Sequence, residues 1–358
     1  MSADDTSDDP VPAGAFPGVL PVAVVTGASS GIGRATALAF GARGYKVALV
    51  ARGQERLERA AREIADAGGR AFAVPVDVAD PKALDVAAAL IETELGPISV
   101  WVNCAAAPLF APFLRITPEE FIRQTEVVYL GVVNGTRAAL SRMAPRNAGT
   151  IVQIASMAAH RGLPLQSAYS GAKFAVRGFT EALRAELLHD DVDIHLGLVS
   201  PASIDTPFFA NARSHLAEGA PGPMPPVYDP SLVVEAVMTV VSDRRREVFV
   251  GDPAWPITWM NALAPGLMDR FLAWTGYGRQ RSGPDGRGTR HDGEREGNLF
   301  TPLSGDPGAR GTYSGHVFRH SAQVWLSENR ATVLAGLAAL GALALARAQR
   351  PGARSRRR

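Results

Sequence analysis

The stretch Val22–Gly33 reads VAVVTGASSGIG. Its first four residues have the composition of a buried strand, and the turn Thr26-Gly27-Ala28-Ser29-Ser30-Gly31-Ile32-Gly33 runs directly into a helical pattern opening at Arg34. Glycines in such a turn permit a sharp reversal and close backbone approach, so a pyrophosphate can rest on free N–H groups at the positive end of the helix. A glycine-rich turn alone is a weak signal, because loops commonly hold glycine. The strand before it and the helix after it make it a dinucleotide site, with Gly27, Ser29, Ser30, Gly31, Ile32 and Gly33 facing the cofactor.

Working outward, KVALVA (46–51) is a second strand that leads into Arg52, about 20 residues after the turn. An acidic residue there would grip a ribose 2′-hydroxyl, whereas arginine offers a charged fork for a 2′-phosphate, so NADP is expected in preference to NAD. The plainer alternative is an exposed arginine at a strand end. A third strand, AFAVPVDV (71–78), ends at Asp77-Val78, where the carboxylate either accepts from the adenine amino group or is a solvated turn residue. Helical stretches at Arg34–Ala42, Leu57–Ala67, 118–143 and 167–189 alternate with further apolar runs, SVWVN, TIVQIAS and IHLGLVS. This alternation predicts an α/β fold: a Rossmann-type doubly wound parallel sheet, one main domain over 21–252, and a C-terminal extension.

TIVQIAS closes on Ser156; Tyr169 follows 13 residues later and Lys173 four beyond it. Spacing of four on a helix sets Tyr169 and Lys173 on one face, so the ammonium is expected to lower the phenol pKa from about 10 toward working pH. On these residues the chain resembles the short-chain dehydrogenase/reductase family over roughly residues 20–252. The order of TGxxxGxG, strand-end Asp, an Asn-rich turn, Ser and Tyr-x-x-x-Lys is highly specific. The resemblance implies that Tyr169 is the general acid/base, that Lys173 binds the nicotinamide ribose and tunes it, and that Ser156 hydrogen-bonds the substrate oxygen. It also implies that Asn103 supports the cofactor near the end of strand four, and that Pro201, Ile204 and Thr206 lie along the nicotinamide. Three positions depart from the family pattern: Asn103-Cys104-Ala105-Ala106 replaces Asn-Asn-Ala-Gly, Ala202 replaces a glycine, and Val128 replaces a relay asparagine. Asn134 is poorly phased to substitute for that amide, and Thr125 shares the face better.

Composition bounds the remaining possibilities. With 358 residues, 46% hydrophobic, the chain can bury a large core, and a net charge of +2 gives no global reason to expect nucleic acid. Cys104, the single cysteine, excludes an intramolecular disulfide framework and fits a reducing, cytoplasmic setting; it reads as a packing residue. No metal is expected: His316 and His320 share helical spacing but lack a neighbouring glutamate. Arg244–Arg246 reads as an exposed turn or a phospholipid-facing patch. Residues 1–20, acidic and without a long apolar run, are expected to be a disordered lead.

The apolar stretch 253–275, with Trp255, Trp259 and Trp274, suits a pocket lid, a lipid-facing patch or a core-packing appendage. Residues 276–330 have the composition of a flexible linker in which only NLFTPL (298–303) is apolar enough to dock. The run 331–346, ATVLAGLAALGALALA, is uncharged but covers only about 24 Å as a helix, so it either spans or lies on a membrane, ahead of the basic tail 347–358. The sequence thus predicts an NADP-dependent oxidoreductase interconverting a carbonyl and an alcohol on a lipophilic small molecule. It is expected at a membrane, and the family resemblance suggests a homo-oligomer through 118–143 and 167–189. The competing reading is a catalytically idle dinucleotide sensor or scaffold tethered to the membrane.

Overall fold

The structure, a computed structural model, describes residues 20–217, 219–282 and 294–330, with Thr332, Val333, Ala338 and Ala342 beyond them. The acidic lead as far as residue 19, most of the apolar run 331–346 and the basic tail 347–358 lie outside the described residues. No helix among the described residues is long and apolar enough to cross a membrane.

Seven parallel strands form the central sheet: β1 (Val22–Thr26), β2 (Lys46–Ala51), β3 (Arg70–Pro75), β4 (Ile98–Asn103), β5 (Gly149–Ile154), β6 (Ile194–Pro201) and β7 (Glu247–Val250). Their spatial order, β3-β2-β1-β4-β5-β6-β7, is the doubly wound arrangement expected, and it reverses direction between β1 and β4. Alternate residues of β1 feed opposite faces: Ala23 and Val25 pack with Phe40, Leu57 and Val237, while Val22 and Val24 pack with Leu84, Ile91 and Met143. Helices α1 (Gly31–Ala42), α2 (Gln54–Asp66) and α7 (Pro230–Asp243) cover the first face; α3 (Pro81–Leu95), α5 (Gly131–Met143) and α6 (Ser167–His189) cover the second.

The sequence reading passed over α3 and α7, although both carry clear start signals. Asp80 accepts from the N–H groups of Lys82 and Ala83 ahead of Pro81, and Asp229 accepts from Ser231 N–H ahead of Pro230. The expected single helix 118–143 is two, α4 (Pro118–Thr125) and α5, joined by a π-helical turn at Glu126–Leu130. A Thr117/Glu120 capping box starts α4.

Two helices, α8 (Ala254–Leu263) and α9 (Pro265–Arg279), follow β7 and expose one apolar face, including Trp259 at 67% and Trp274 at 85%. Ala254, Met268, Leu272 and Gly276 are buried and Ile257 lines a cleft, while most large apolar side chains of the pair stay exposed. The expected linker character of 276–330 gives way to an ordered course over 294–318. Glu294–Arg295 pairs with Ser214–His215, Leu299 is fully buried, and Val317–Phe318 pairs with Val227–Tyr228. The helix α10 (Ala322–Glu328) then packs Val324 into the core beside β7.

Candidate active site

The glycine turn lies at the carboxyl end of β1, beside the point where strand order reverses, which is where doubly wound sheets open a crevice. Gly27 (φ +70°) and Gly31 (φ +57°) adopt left-handed conformations that cost a residue with a Cβ about 1–2 kcal/mol. A Cβ on Gly27 would stand 2.8 Å from Ala105 Cα, and one on Gly33 would strike the Gly27 carbonyl oxygen. Thr26 Oγ1 accepts from the N–H groups of Cys104 (3.0 Å) and Ala105 (3.2 Å), tying the turn to the end of β4. Ser30 is extended and its side chain does not cap α1; the first N–H of that helix, Gly31, donates instead to the Gly308 carbonyl at 3.0 Å.

Gly27, Ser29, Ser30, Gly31, Ile32 and Gly33 line a cleft of about 260 Å³ that also takes in Ser156, Tyr169, Lys173, Pro201, Ile204 and Thr206. An adjoining cavity of about 70 Å³ continues past Gly27 and Ser29 to Arg52, Asp77 and Val78. Asn103 stands apart from both. Its Oδ1 accepts from Trp101 Nε1 (2.8 Å), and its Nδ2 donates to Gln153 Oε1 (2.8 Å) and Thr136 Oγ1 (3.2 Å). With both ends of the amide satisfied inside the core, Asn103 braces β4, β5 and α5 and lines neither cavity.

The open fork expected of Arg52 is corrected as well. Its terminal nitrogens donate to the carbonyls of Asn298, Leu299 (3.1 Å) and Phe300 (2.8 Å). Arg56, which the sequence reading missed, lines the same cavity and donates to Ser304 (2.7 Å) and Gly305 (2.8 Å) carbonyls. Burial lowers the pKa of both guanidiniums, and their partners there are neutral carbonyls. Asp77 accepts from Ala79 N–H (3.0 Å) and pairs with Arg123, so its carboxylate is held at the cavity wall by the protein itself.

Ser156 follows β5, and its Oγ accepts from Ala158 N–H (3.1 Å) while also hydrogen-bonding Tyr169. One turn apart on α6, Tyr169 and Lys173 are both buried, and Lys173 Nζ lies 5.6 Å from the tyrosine ring centroid. Lys173 donates to the Ile154 carbonyl at 2.6 Å, and burial pushes its pKa down to about 8. The lowered phenol pKa expected from the spacing does not follow: burial raises Tyr169 well above its ordinary value, against which the Ser156 hydrogen bond works only in part.

Val128 is fully buried against Ala158, Tyr169 and Ala172, within the π-helical turn. Thr125 is not its substitute, because its hydroxyl donates back to the Phe121 carbonyl (2.9 Å). Asn134 instead holds the adenosine-side turn, donating to the Val78 carbonyl at 2.9 Å. Cys104 lines the cleft, but burial pushes its thiol up to about 12, which fits packing and not nucleophilic attack.

Beyond Tyr169 the cleft is walled by apolar residues that no motif announced: Met157, Leu163, Phe208, Phe209, Met224 and Ile257. Phe208 meets the Tyr169 ring edge-on at 5.6 Å. Gln280, just past α9, reaches back to donate to the Pro164 and Gly276 carbonyls (both 2.9 Å) and pairs with Gln166. Apart from Ile257 on α8, these residues come from turns and loops whose register only the folded chain defines.

The family model for short chain dehydrogenase matches residues 21–217. The chain belongs to the short-chain dehydrogenase family. It is 33% identical over 262 residues to the uncharacterized oxidoreductase YxnA of Bacillus subtilis, covering 73% of this chain and 74% of that one. It is 31% identical over 264 residues to dehydrogenase/reductase SDR family member 7B of Bos taurus (70% and 80%), and 36% over 192 residues to 3-dehydrosphinganine reductase of Danio rerio (52% and 57%). Among solved structures, a short-chain dehydrogenase from Streptomyces avermitilis is similar at TM-score 0.60 and 28% identity, covering 73% of this chain and 97% of that one. An alcohol dehydrogenase from Thermococcus sibiricus complexed with 5-hydroxy-NADP is similar at TM-score 0.57 and 27% identity (64% and 96%). This short-chain dehydrogenase is an oxidoreductase acting on CH–OH groups, and its cofactor is a nicotinamide dinucleotide.

Proposed function

We propose that the protein is an NADPH-dependent reductase that converts a carbonyl on a lipophilic molecule to an alcohol. The observation that carries this reading is the meeting of Ser156, Tyr169 and Lys173 in one cleft with the glycine turn. The residues fit the cofactor: only glycine packs as Gly27 and Gly33 do, which keeps the turn tight, and N–H groups of α1 beyond Gly31, which no side chain caps, suit a pyrophosphate. Pro201, Ile204 and Thr206 would flank the nicotinamide, Asp77 and Val78 the adenine, and the 2′-phosphate would meet the donors of Arg52 and Arg56 that the 298–305 carbonyls do not take. When bound, the nicotinamide supplies the hydride.

The chain's own groups manage the proton. Ser156 Oγ and the Tyr169 hydroxyl together hold the substrate oxygen, and burial keeps Tyr169 protonated, the form that donates to a developing alkoxide. That state favours the reductive direction. Lys173, still largely an ammonium at neutral pH with its pKa lowered to about 8, stands within reach of the ring to hold the ribose and steady the charge left when the phenol releases its proton. The apolar wall of Met157, Leu163, Phe208 and Phe209 excludes water and favours a hydrocarbon-rich substrate.

Delivery of such a substrate from lipid is supported by α8, whose Ile257 lines the cleft while Trp255 and Trp259 are exposed. The apolar run 331–346 would add a second attachment. Self-association through α4 and α6 is supported by exposed Ile122 (57%) and Phe174 (45%).

Titration of the full chain with NADPH and NADH, followed by protein fluorescence, tests the cofactor. NADPH is expected to bind more tightly, and Arg56→Ala to weaken NADPH more than NADH. Tyr169→Phe is expected to bind NADPH as the parent does and to lose carbonyl reduction by about 10²–10⁴-fold, the usual worth of a positioned acid. Binding of neither dinucleotide, or full activity in Tyr169→Phe, overturns the assignment.

A further inference from the structure

Residues 294–318 leave the substrate side of the cleft, cross its adenosine end and return. Glu294–Arg295 pairs with Ser214–His215, and Asn298 N–H donates to the Asn211 carbonyl (2.8 Å). The chain then passes over α2 and α1. Arg52 and Arg56 hold the carbonyls of residues 298–300 and 304–305, and Arg34 forms an ion pair with Asp306. Gly308 O accepts from Gly31 N–H at 3.0 Å, and Gly311 N–H donates to the Asp205 carbonyl at 3.1 Å. At both ends the fit is close. A Cβ on Gly297 (φ +59°) would strike the backbone of Ala212 and Arg213, and one on Gly311 would lie 2.8 Å from Thr206 N.

This segment roofs the cofactor cleft without filling it. Its grips are Arg34 on α1, Arg52 just before α2, Arg56 on α2, and the Gly31 N–H of the glycine turn, while cavity space persists beneath, between Asp77 and Val78 on one side and Asn298, Pro302 and Leu303 on the other. Asn298 lines both cavities, at their junction, and its buried Oδ1 has no hydrogen-bond partner. An unsatisfied buried acceptor is costly, and a ribose hydroxyl is a donor that would relieve it.

We propose that residues 298–311 are a clasp closed over the bound dinucleotide, with Asn298 as a cofactor-positioning residue, so that cofactor leaves only when the clasp opens. The inference rests on the nicotinamide-dinucleotide reading above and deepens it. Opening requires breaking the Arg34–Asp306 pair and lifting Leu299 from the core.

The test uses the full chain and two readouts besides turnover. In stopped-flow displacement of NADPH by excess NADP, Asp306→Asn and Leu299→Ala are expected to raise the dissociation rate at least about tenfold and by more than the association rate, so that affinity falls. In hydrogen exchange of the unmutated protein, NADPH is expected to increase protection of amides in 298–311. Should the segment instead plug the site, the same variants would bind NADPH faster and more tightly, and NADPH would strip protection from 298–311; either result overturns the clasp. Unchanged rates together with unchanged exchange overturn it too. Failure of the parent to bind either dinucleotide would bring down the cofactor reading itself, which is a different result from normal binding with indifferent variants.

Discussion

Tyr169 and Lys173 show how far spacing carries an argument about single residues. Their separation by one helical turn was legible, and so was the serine at the end of the strand before them; their protonation was not. Spacing suggests an ammonium acting on a phenol, but the phenol's pKa answers first to burial, which depends on Val128, Ala158 and Phe208 closing around it. Arg52 and Asn103 fail for a related reason. Sequence offers their donors and acceptors, but the fold had already assigned those groups to the 298–300 carbonyls and to Trp101 and Gln153. Lysine burial has a measurable consequence. The ordinary value of 10.5 falls to about 8 in the folded chain, so between those values the unfolded chain binds the extra proton and folding stability rises with pH. From about pH 7 to about pH 9.5 the parent is expected to gain about 2 kcal/mol relative to Lys173→Met in urea unfolding. Parallel stability curves for the two proteins across that window would show that the lysine is not held in a depressed state. The window ends below the range where Tyr169, with its raised pKa, would contribute the opposite slope.

At the scale of elements, the inner strands β1, β4 and β5 were readable because each is buried on both faces and so is rich in apolar residues along its length. The break in the helix at Glu126–Leu130 was not, since a π-helical turn leaves the residue types of a helix in place and changes only the hydrogen-bond step. This turn sets Val128 against Tyr169, where the family pattern has an amide. Restoring the amide should therefore fail as a repair. Val128→Asn introduces a polar group into a wall made of Ala158, Ala172 and the tyrosine ring, and the loss expected from an unsatisfied buried amide is about 1–3 kcal/mol by denaturant unfolding. A variant as stable as the parent, with faster turnover, would mean that a water-bridged relay can form there after all. The 298–311 segment was half legible. NLFTPL stood out as apolar enough to dock, but the route that follows it depends on arginines of α1 and α2 that were individually unremarkable.

For the whole molecule, the doubly wound sheet decides where the chemistry lies, and the C-terminal extension decides how the cleft meets its surroundings. From β7 onward the chain contributes an apolar helix pair, a roof over the cofactor end and α10 on the core, all beyond the matched family region. The helix pair is fixed to the domain through Arg161, which pairs with Asp269 and donates to Asn261 (2.8 Å), so its exposed face keeps a defined orientation. On that face Trp255 is 51% exposed, Trp259 67%, Leu263 80%, Leu267 62% and Trp274 85%. Large apolar residues exposed together are the pattern of a contact surface, and tryptophan favours the headgroup region of a bilayer, which supports the proposed lipid attachment. The proposed lipophilic substrate and this face explain each other, because α8 carries Ile257 into the cleft and Trp259 to the outside. Full-length protein is therefore expected to cosediment with phosphatidylcholine vesicles containing anionic lipid, with a blue shift of tryptophan emission. The double variant Trp259→Glu, Trp274→Glu should lose most of that shift and bind several-fold less, at about the parent's thermal stability, since both side chains are largely solvent-exposed. Vesicle binding that survives the double variant undiminished would assign the attachment to 331–358 alone and leave the helix pair without a lipid role.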